Sequence, residues 1–156
     1  AYITIDVRAG GHGVTFGGPA VEDGLHSYMP ATFHEPLTAP NIGAIVTVDA
    51  TVSVASGTGT AITSVTLDPG TWLIEGNAEF AANGTGVRGA NLHVSSGSTN
   101  FAQTGSRVNA ASSGTTDVPA QWVTKRTAQT TIYLNAYQNS GAALSVTGYI
   151  RAMRIT

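Results

Sequence analysis

Thr71-Trp72-Leu73-Ile74-Glu75-Gly76-Asn77-Ala78-Glu79-Phe80 decides the fold. At a period of two, Trp72, Ile74, Ala78 and Phe80 share one face, and Leu73, Glu75, Asn77 and Glu79 take the other. An apolar face set against a mostly polar one at that period reads as a half-buried strand of an antiparallel sheet. Ser64-Val65-Thr66-Leu67 runs into it through the turn Asp68-Pro69-Gly70. Asn83-Gly84 behind it is a tight-hairpin signal. The expected return strand has Arg88, Ala90, Leu92 and Val94 on one face and Asn91 and His93 on the other.

The signature spreads in both directions. Ile42 to Val54 is rich in Val, Ile and Thr and stops at Ser56-Gly57-Thr58-Gly59. Ser95 to Thr116 is small and polar and reads as loop, with Phe101 and Val108 as anchors. Gln121 to Arg126 is a short strand. Gln129 to Tyr137 alternates, with Ile132, Leu134 and Ala136 against Thr131, Tyr133, Asn135 and Tyr137. After the turn Gln138-Asn139-Ser140-Gly141, the stretch Leu144 to Ile155 sets Leu144, Val146, Gly148 and Ile150 against Tyr149, Met153 and Ile155. Upstream, Tyr2 to Val7 alternates as a strand. Glycines then break the pattern, and Pro30, Pro36 and Pro40 punctuate a stretch that holds Tyr28, Met29 and Phe33. The expected organisation is an N-terminal strand and extended arm over 1–40, ordered and packed through those apolar residues, followed by a head domain over 41–156.

Composition agrees. A chain of 156 residues holds one domain and a short appendage. Charged residues make up 10%, against roughly 25% in ordinary soluble domains. Thr, Ser, Asn and 19 Gly supply the polar surface instead. A net charge of −2 leaves no basic excess to neutralise phosphates, which argues against a nucleic-acid partner and against an anionic membrane surface. No apolar run is long enough for membrane insertion. The absence of Cys excludes disulfide scaffolds and thiolate metal or redox sites. Strong helix formers are scarce, with Lys125 the one lysine. About eight strands with regular turn signals predict an all-β protein, an antiparallel β-sandwich of jelly-roll type. The last strands are apolar or aromatic on both faces. Tyr133, Tyr137, Tyr149 and Met153 are expected to form one surplus face that a neighbouring subunit covers.

Three segments carry a family resemblance. Val65-Thr66-Leu67-Asp68-Pro69-Gly70-Thr71-Trp72-Leu73-Ile74 resembles the strand, Pro-Gly, aromatic-strand opening of tumour-necrosis-factor-like and complement-type globular heads. Thr131 to Gly141 resembles their penultimate strand and turn, and Gly148 to Ile155 their closing strand. With the Ser/Thr/Gly-rich loops and absent Cys, the stretch 41–156 is similar to the C-terminal domain of a bacteriophage fibre or spike. The resemblance implies a homotrimer at a virion surface, in a tail or head appendage, that attaches to a host cell-surface saccharide. It implies contact with other virion proteins through the N-terminal side. A fibre cap or capsid-decoration module without its own ligand is the alternative.

No catalytic residue is assigned. Glu75 and Glu79 share a strand face, but four residues of strand separate them by about 13–14 Å, beyond the ~5–5.5 Å of a retaining carboxylate pair. No Gly-x-Ser-x-Gly elbow and no His-Glu-x-x-His motif occur. His12, His26, His34 and His93 lack ligand spacing, so no metal and no cofactor is expected. Saccharide recognition needs an aromatic face for sugar C–H surfaces and short polar groups for hydroxyls. The candidate ligand residues are Trp122, Asp117, Arg126, Asn139 and Arg107, with Phe101 and Tyr137 as further aromatics near the polar loops. Arg107 and Arg126 would add a carboxylate or phosphate contact.

Overall fold

The computed structural model describes residues 42–156. The expected strand Tyr2–Val7 and the arm over 1–40 lie outside the described residues. Eight strands follow in order: β1 (Ile45–Val54), β2 (Thr60–Leu67), β3 (Gly70–Phe80), β4 (Val87–His93), β5 (Gly105–Asn109), β6 (Thr116–Arg126), β7 (Thr130–Gln138) and β8 (Leu144–Arg154). They form two four-stranded antiparallel sheets, β1-β8-β3-β6 and β2-β7-β4-β5. Every connection except β4–β5 crosses between the sheets.

The alternation of β3 survives intact. Trp72, Ile74, Ala78 and Phe80 are buried, and they meet Leu92, Ile132, Leu134 and Ala136 of the opposite sheet in one core. Gly76 and Gly148 leave a hollow on the inner face of the first sheet. A Cβ on either would stand 3.0 or 2.9 Å from a Leu134 methyl, so the leucine fills the space that two side chains would otherwise take. The β2–β3 turn depends on Gly70 at φ 152, where a Cβ would collide with the Thr156 carbonyl. The Trp72 indole N–H donates to the Asp68 carbonyl across that same turn, at 3.0 Å.

Four expectations are corrected. Asn83-Gly84 closes no hairpin, because β3 and β4 belong to different sheets. The Asn83 side chain instead accepts from the Thr85 N–H within a local turn. The stretch Ser95–Thr116 is not all loop. It contains β5, five residues paired with β4, too short and too polar to show in the periodicity. β6 starts at Thr116 rather than Gln121, so Asp117 is a strand residue. Val94, expected on the inner face, lies past the end of β4 and is exposed.

The surplus face also divides. Tyr133 and Tyr137 belong to β7 and point outward from the β2-β7-β4-β5 sheet. Tyr149 and Met153 belong to β8 and point outward from the other sheet. Adjacent strands in sequence cross the sandwich here, so what read as one face is two surfaces on opposite sides.

Candidate functional site

Among the described residues nothing lies across the outer face of the β1-β8-β3-β6 sheet. Directly opposed residues in antiparallel strands share a face. The registers Ile45↔Met153, Leu73↔Met153 and Leu73↔Val123 therefore set four apolar side chains in one row across the whole sheet. Ile45 is 49% and Val123 61% exposed. The next rows are Thr47, Arg151, Glu75 and Gln121, then Asp49, Tyr149, Asn77 and Pro119. Tyr149 is itself exposed. Shallow depressions lie along these rows, one lined by Leu73, Glu75, Arg151 and Met153. A further row places Glu79 directly opposite Asp117, whose carboxylate accepts from the Asn77 amide at 2.8 Å.

The outer face of the β2-β7-β4-β5 sheet is roofed by its own β4–β5 connection. Asn91 and Asn135, paired in register, are both fully buried beneath it. The Asn135 amide donates to Asn91 Oδ1 at 3.0 Å and to the Ser95 carbonyl at 3.2 Å. The Asn91 amide donates to the carbonyls of Ser98 and Asn100, and the Gly97 N–H donates to Asn135 Oδ1 at 2.7 Å. Sequence periodicity put both asparagines on an outward strand face. A sheet face does not announce that a loop will lie across it.

Past this polar clamp, Phe101 lies over Gly89, where a Cβ would stand 2.8 Å from the Phe101 ring. Its ring meets Tyr137 edge-on, centroids 6.3 Å apart. The Arg107 guanidinium sits 4.3 Å from the Phe101 centroid and 5.7 Å from that of Tyr137. Arg107, Gly89 and Tyr137 occupy one register row of β5, β4 and β7, so the missing glycine side chain is what admits Phe101.

The sequence-derived ligand residues are not gathered in one place. Trp122 and Arg126 do meet, with the guanidinium 4.4 Å over the indole. Both lie on the inner side of β6, where Trp122 packs against the core. Arg126 Nε and Nη2 are buried with no acceptor among the described residues, and burial lowers the Arg126 pKa. Asp117 stands on the opposite surface of the same sheet. Asn139 sits at the rim as expected, yet its Oδ1 already accepts from the Val87 N–H at 2.6 Å. Arg107 alone of the five is joined with surface aromatics, Phe101 and Tyr137.

Two further buried polar side chains, Arg88 and Gln138, are not among the candidate residues. Arg88 is fully buried and donates to the carbonyls of Val87 and Asn83, with its charge 5.9 Å over the Phe80 ring. Desolvation lowers its pKa. Gln138 donates to the Val54 and Ala142 carbonyls and accepts from the Ser140 N–H, tying β1 to the β7–β8 turn. Among the described residues no group of three or more His, Asp or Glu gathers as a metal site. The His93 Nδ1 accepts from the Ser95 N–H. His12, His26 and His34 lie outside the described residues.

No protein-family model matches the chain, and no curated protein matches it. Among solved structures, that of infectious bursal disease virus Gx strain is similar over 87% of this chain, at 17% identity and a TM-score of 0.48. The matched region covers 37% of that viral chain, so this chain spans little more than a third of its length.

Proposed function

We propose that the chain is a non-enzymatic structural module of a virion or virion-like particle, a homotrimer of jelly-roll sandwiches that associate through the outer face of the β1-β8-β3-β6 sheet, which no described residue covers. The observation that carries this reading is the row Ile45, Met153, Leu73 and Val123. An apolar row that crosses all four strands at a solvent boundary marks an interaction surface. Burying one such side chain contributes roughly 1.5–3 kcal/mol, and a cyclic oligomer repeats the gain at every interface. The sheet orders, with one hairpin connection and all others crossing, support the jelly-roll assignment. The virion setting rests on the likeness of the 65–74, 131–141 and 148–155 segments to tumour-necrosis-factor-like and complement-type heads, taken with the Ser/Thr/Gly-rich loops and absent Cys that point to a bacteriophage fibre or spike. Light scattering on the purified chain tests the reading. A trimer is expected, and a stable monomer at micromolar concentration overturns it.

Attachment to a host-surface saccharide is the second reading, favoured by the Arg107, Phe101 and Tyr137 cluster on the opposite face. Of the Tyr133, Tyr137, Tyr149 and Met153 set, only Tyr149 and Met153 then belong to the subunit interface. Binding of the purified oligomer to host cells tests attachment. Loss of binding in an Arg107 variant that keeps its oligomeric state supports it.

A further inference from the structure

The carboxylates of the described sandwich keep to one side of it, where Arg151 and Lys125 stand among them. Between residues 42 and 156 the carboxylates are Asp49, Asp68, Glu75, Glu79 and Asp117. Asp49, Glu75, Glu79 and Asp117 stand on the outer face of the β1-β8-β3-β6 sheet. Asp68 lies in the β2–β3 turn, where it accepts from the Gln129 amide. None of them stands on the outer face of the β2-β7-β4-β5 sheet. There Arg107 is exposed, with its charge held against two aromatic rings and no described carboxylate on its face to neutralise it.

We infer that Arg107 receives the carboxylate of an acidic saccharide. This rests on the second reading above and names its ligand class. A guanidinium presents paired N–H donors in a planar fork that matches a carboxylate, which makes the contact directional as well as attractive. The rings of Phe101 and Tyr137 restrict where that fork can go, so part of the entropy of ordering a long side chain is already spent before the ligand arrives. What surrounds the fork suits a sugar. Asn109 follows two residues on along the same face of β5 and is exposed. Its amide donates to and accepts from hydroxyls, and it carries no charge that would repel an anionic chain. Weak single contacts gain by repetition across the copies of an oligomer.

The test is binding of the intact oligomer to polygalacturonate, neutral dextran and dextran sulfate, for the parent, R107Q and R107K, with light scattering on each protein. The parent should retain polygalacturonate over dextran. R107Q should lose about tenfold in affinity, the loss of one charge-assisted contact, and R107K should recover only part of it. A parent that binds polygalacturonate and dextran alike keeps the saccharide reading and overturns the carboxylate assignment. Preference for dextran sulfate over polygalacturonate likewise overturns it, because the fork then answers to charge alone. A parent that binds none of the three removes the attachment reading together with this inference. R107Q that binds polygalacturonate like the parent overturns the residue. If R107Q instead dissociates the oligomer, the guanidinium meets a neighbouring copy, and the ligand assignment falls.

Discussion

The two outer faces of the sandwich start from the same sequence rule and end differently. Each belongs to a four-stranded sheet whose inner residues build the common core. On the β2-β7-β4-β5 face the chain covers its own strands, with the Asn91 and Asn135 side chains holding the 95–100 backbone down and Phe101 seated over Gly89. On the β1-β8-β3-β6 face nothing within the described residues takes that role, and Ile45, Val123 and Tyr149 remain open. The difference teaches that alternation tells which residues leave the core. It does not tell whether they meet solvent, a loop of the same chain or another molecule.

The largest effect is expected from charging the bare face. M153R or L73R puts a guanidinium into the apolar row. Either should convert the oligomer to monomer in light scattering while far-ultraviolet circular dichroism stays that of the parent. The matched change on the roofed face, Y133S, should leave the oligomer whole. If Y133S dissociates it and M153R does not, the two faces have been assigned the wrong way round.

N135A comes next. It removes the donor to Asn91 and Ser95 and the acceptor for Gly97, and leaves their buried partners unpaired. A cost of about 2–3 kcal/mol is expected, read as a lower Tm, and hydrogen exchange over 95–100 should speed up while β3 stays protected. G89A is smaller. Its added methyl must push Phe101 aside, costing about 1–2 kcal/mol and releasing Arg107 from its rings. N139A should cost about 1 kcal/mol, the worth of one ordinary hydrogen bond to the Val87 N–H, and leave any saccharide binding unchanged. A loss of binding in N139A with Tm intact would move Asn139 from a supporting role into the ligand site.

The core was legible because its signal is local. Trp72, Ile74, Ala78 and Phe80 declare their face within nine residues, and they are buried as that alternation requires. The short β5 was not legible, since Gly105-Ser106-Arg107-Val108-Asn109 carries a single aliphatic side chain and pairs only with β4. The division of Tyr133 and Tyr137 from Tyr149 and Met153 was hidden for another reason. Consecutive strands can pair or cross, and only the connection decides. The same ignorance scattered the ligand candidates. Trp122 and Arg126 lie beside a polar loop in sequence, which made them ligand candidates, but their parity with Ile74 and Gly70 across β3 turns both toward the interior. Gly89 offered no signal at all until Phe101 was seen lying on it.

The manner in which the roof is held has a consequence for engineering. Asn91 and Asn135 grip the 95–100 segment by its main chain, through the carbonyls of Ser95, Ser98 and Asn100 and the N–H of Gly97. No side chain of Ser96 or Thr99 takes part in that grip, and both are exposed. Provided Gly97 keeps its left-handed φ of 71, residues 96 and 99 are free to change without loosening the frame beneath. The sandwich therefore offers two positions for randomised display, Ser96 and Thr99, on a backbone held by the sheet rather than by what is displayed.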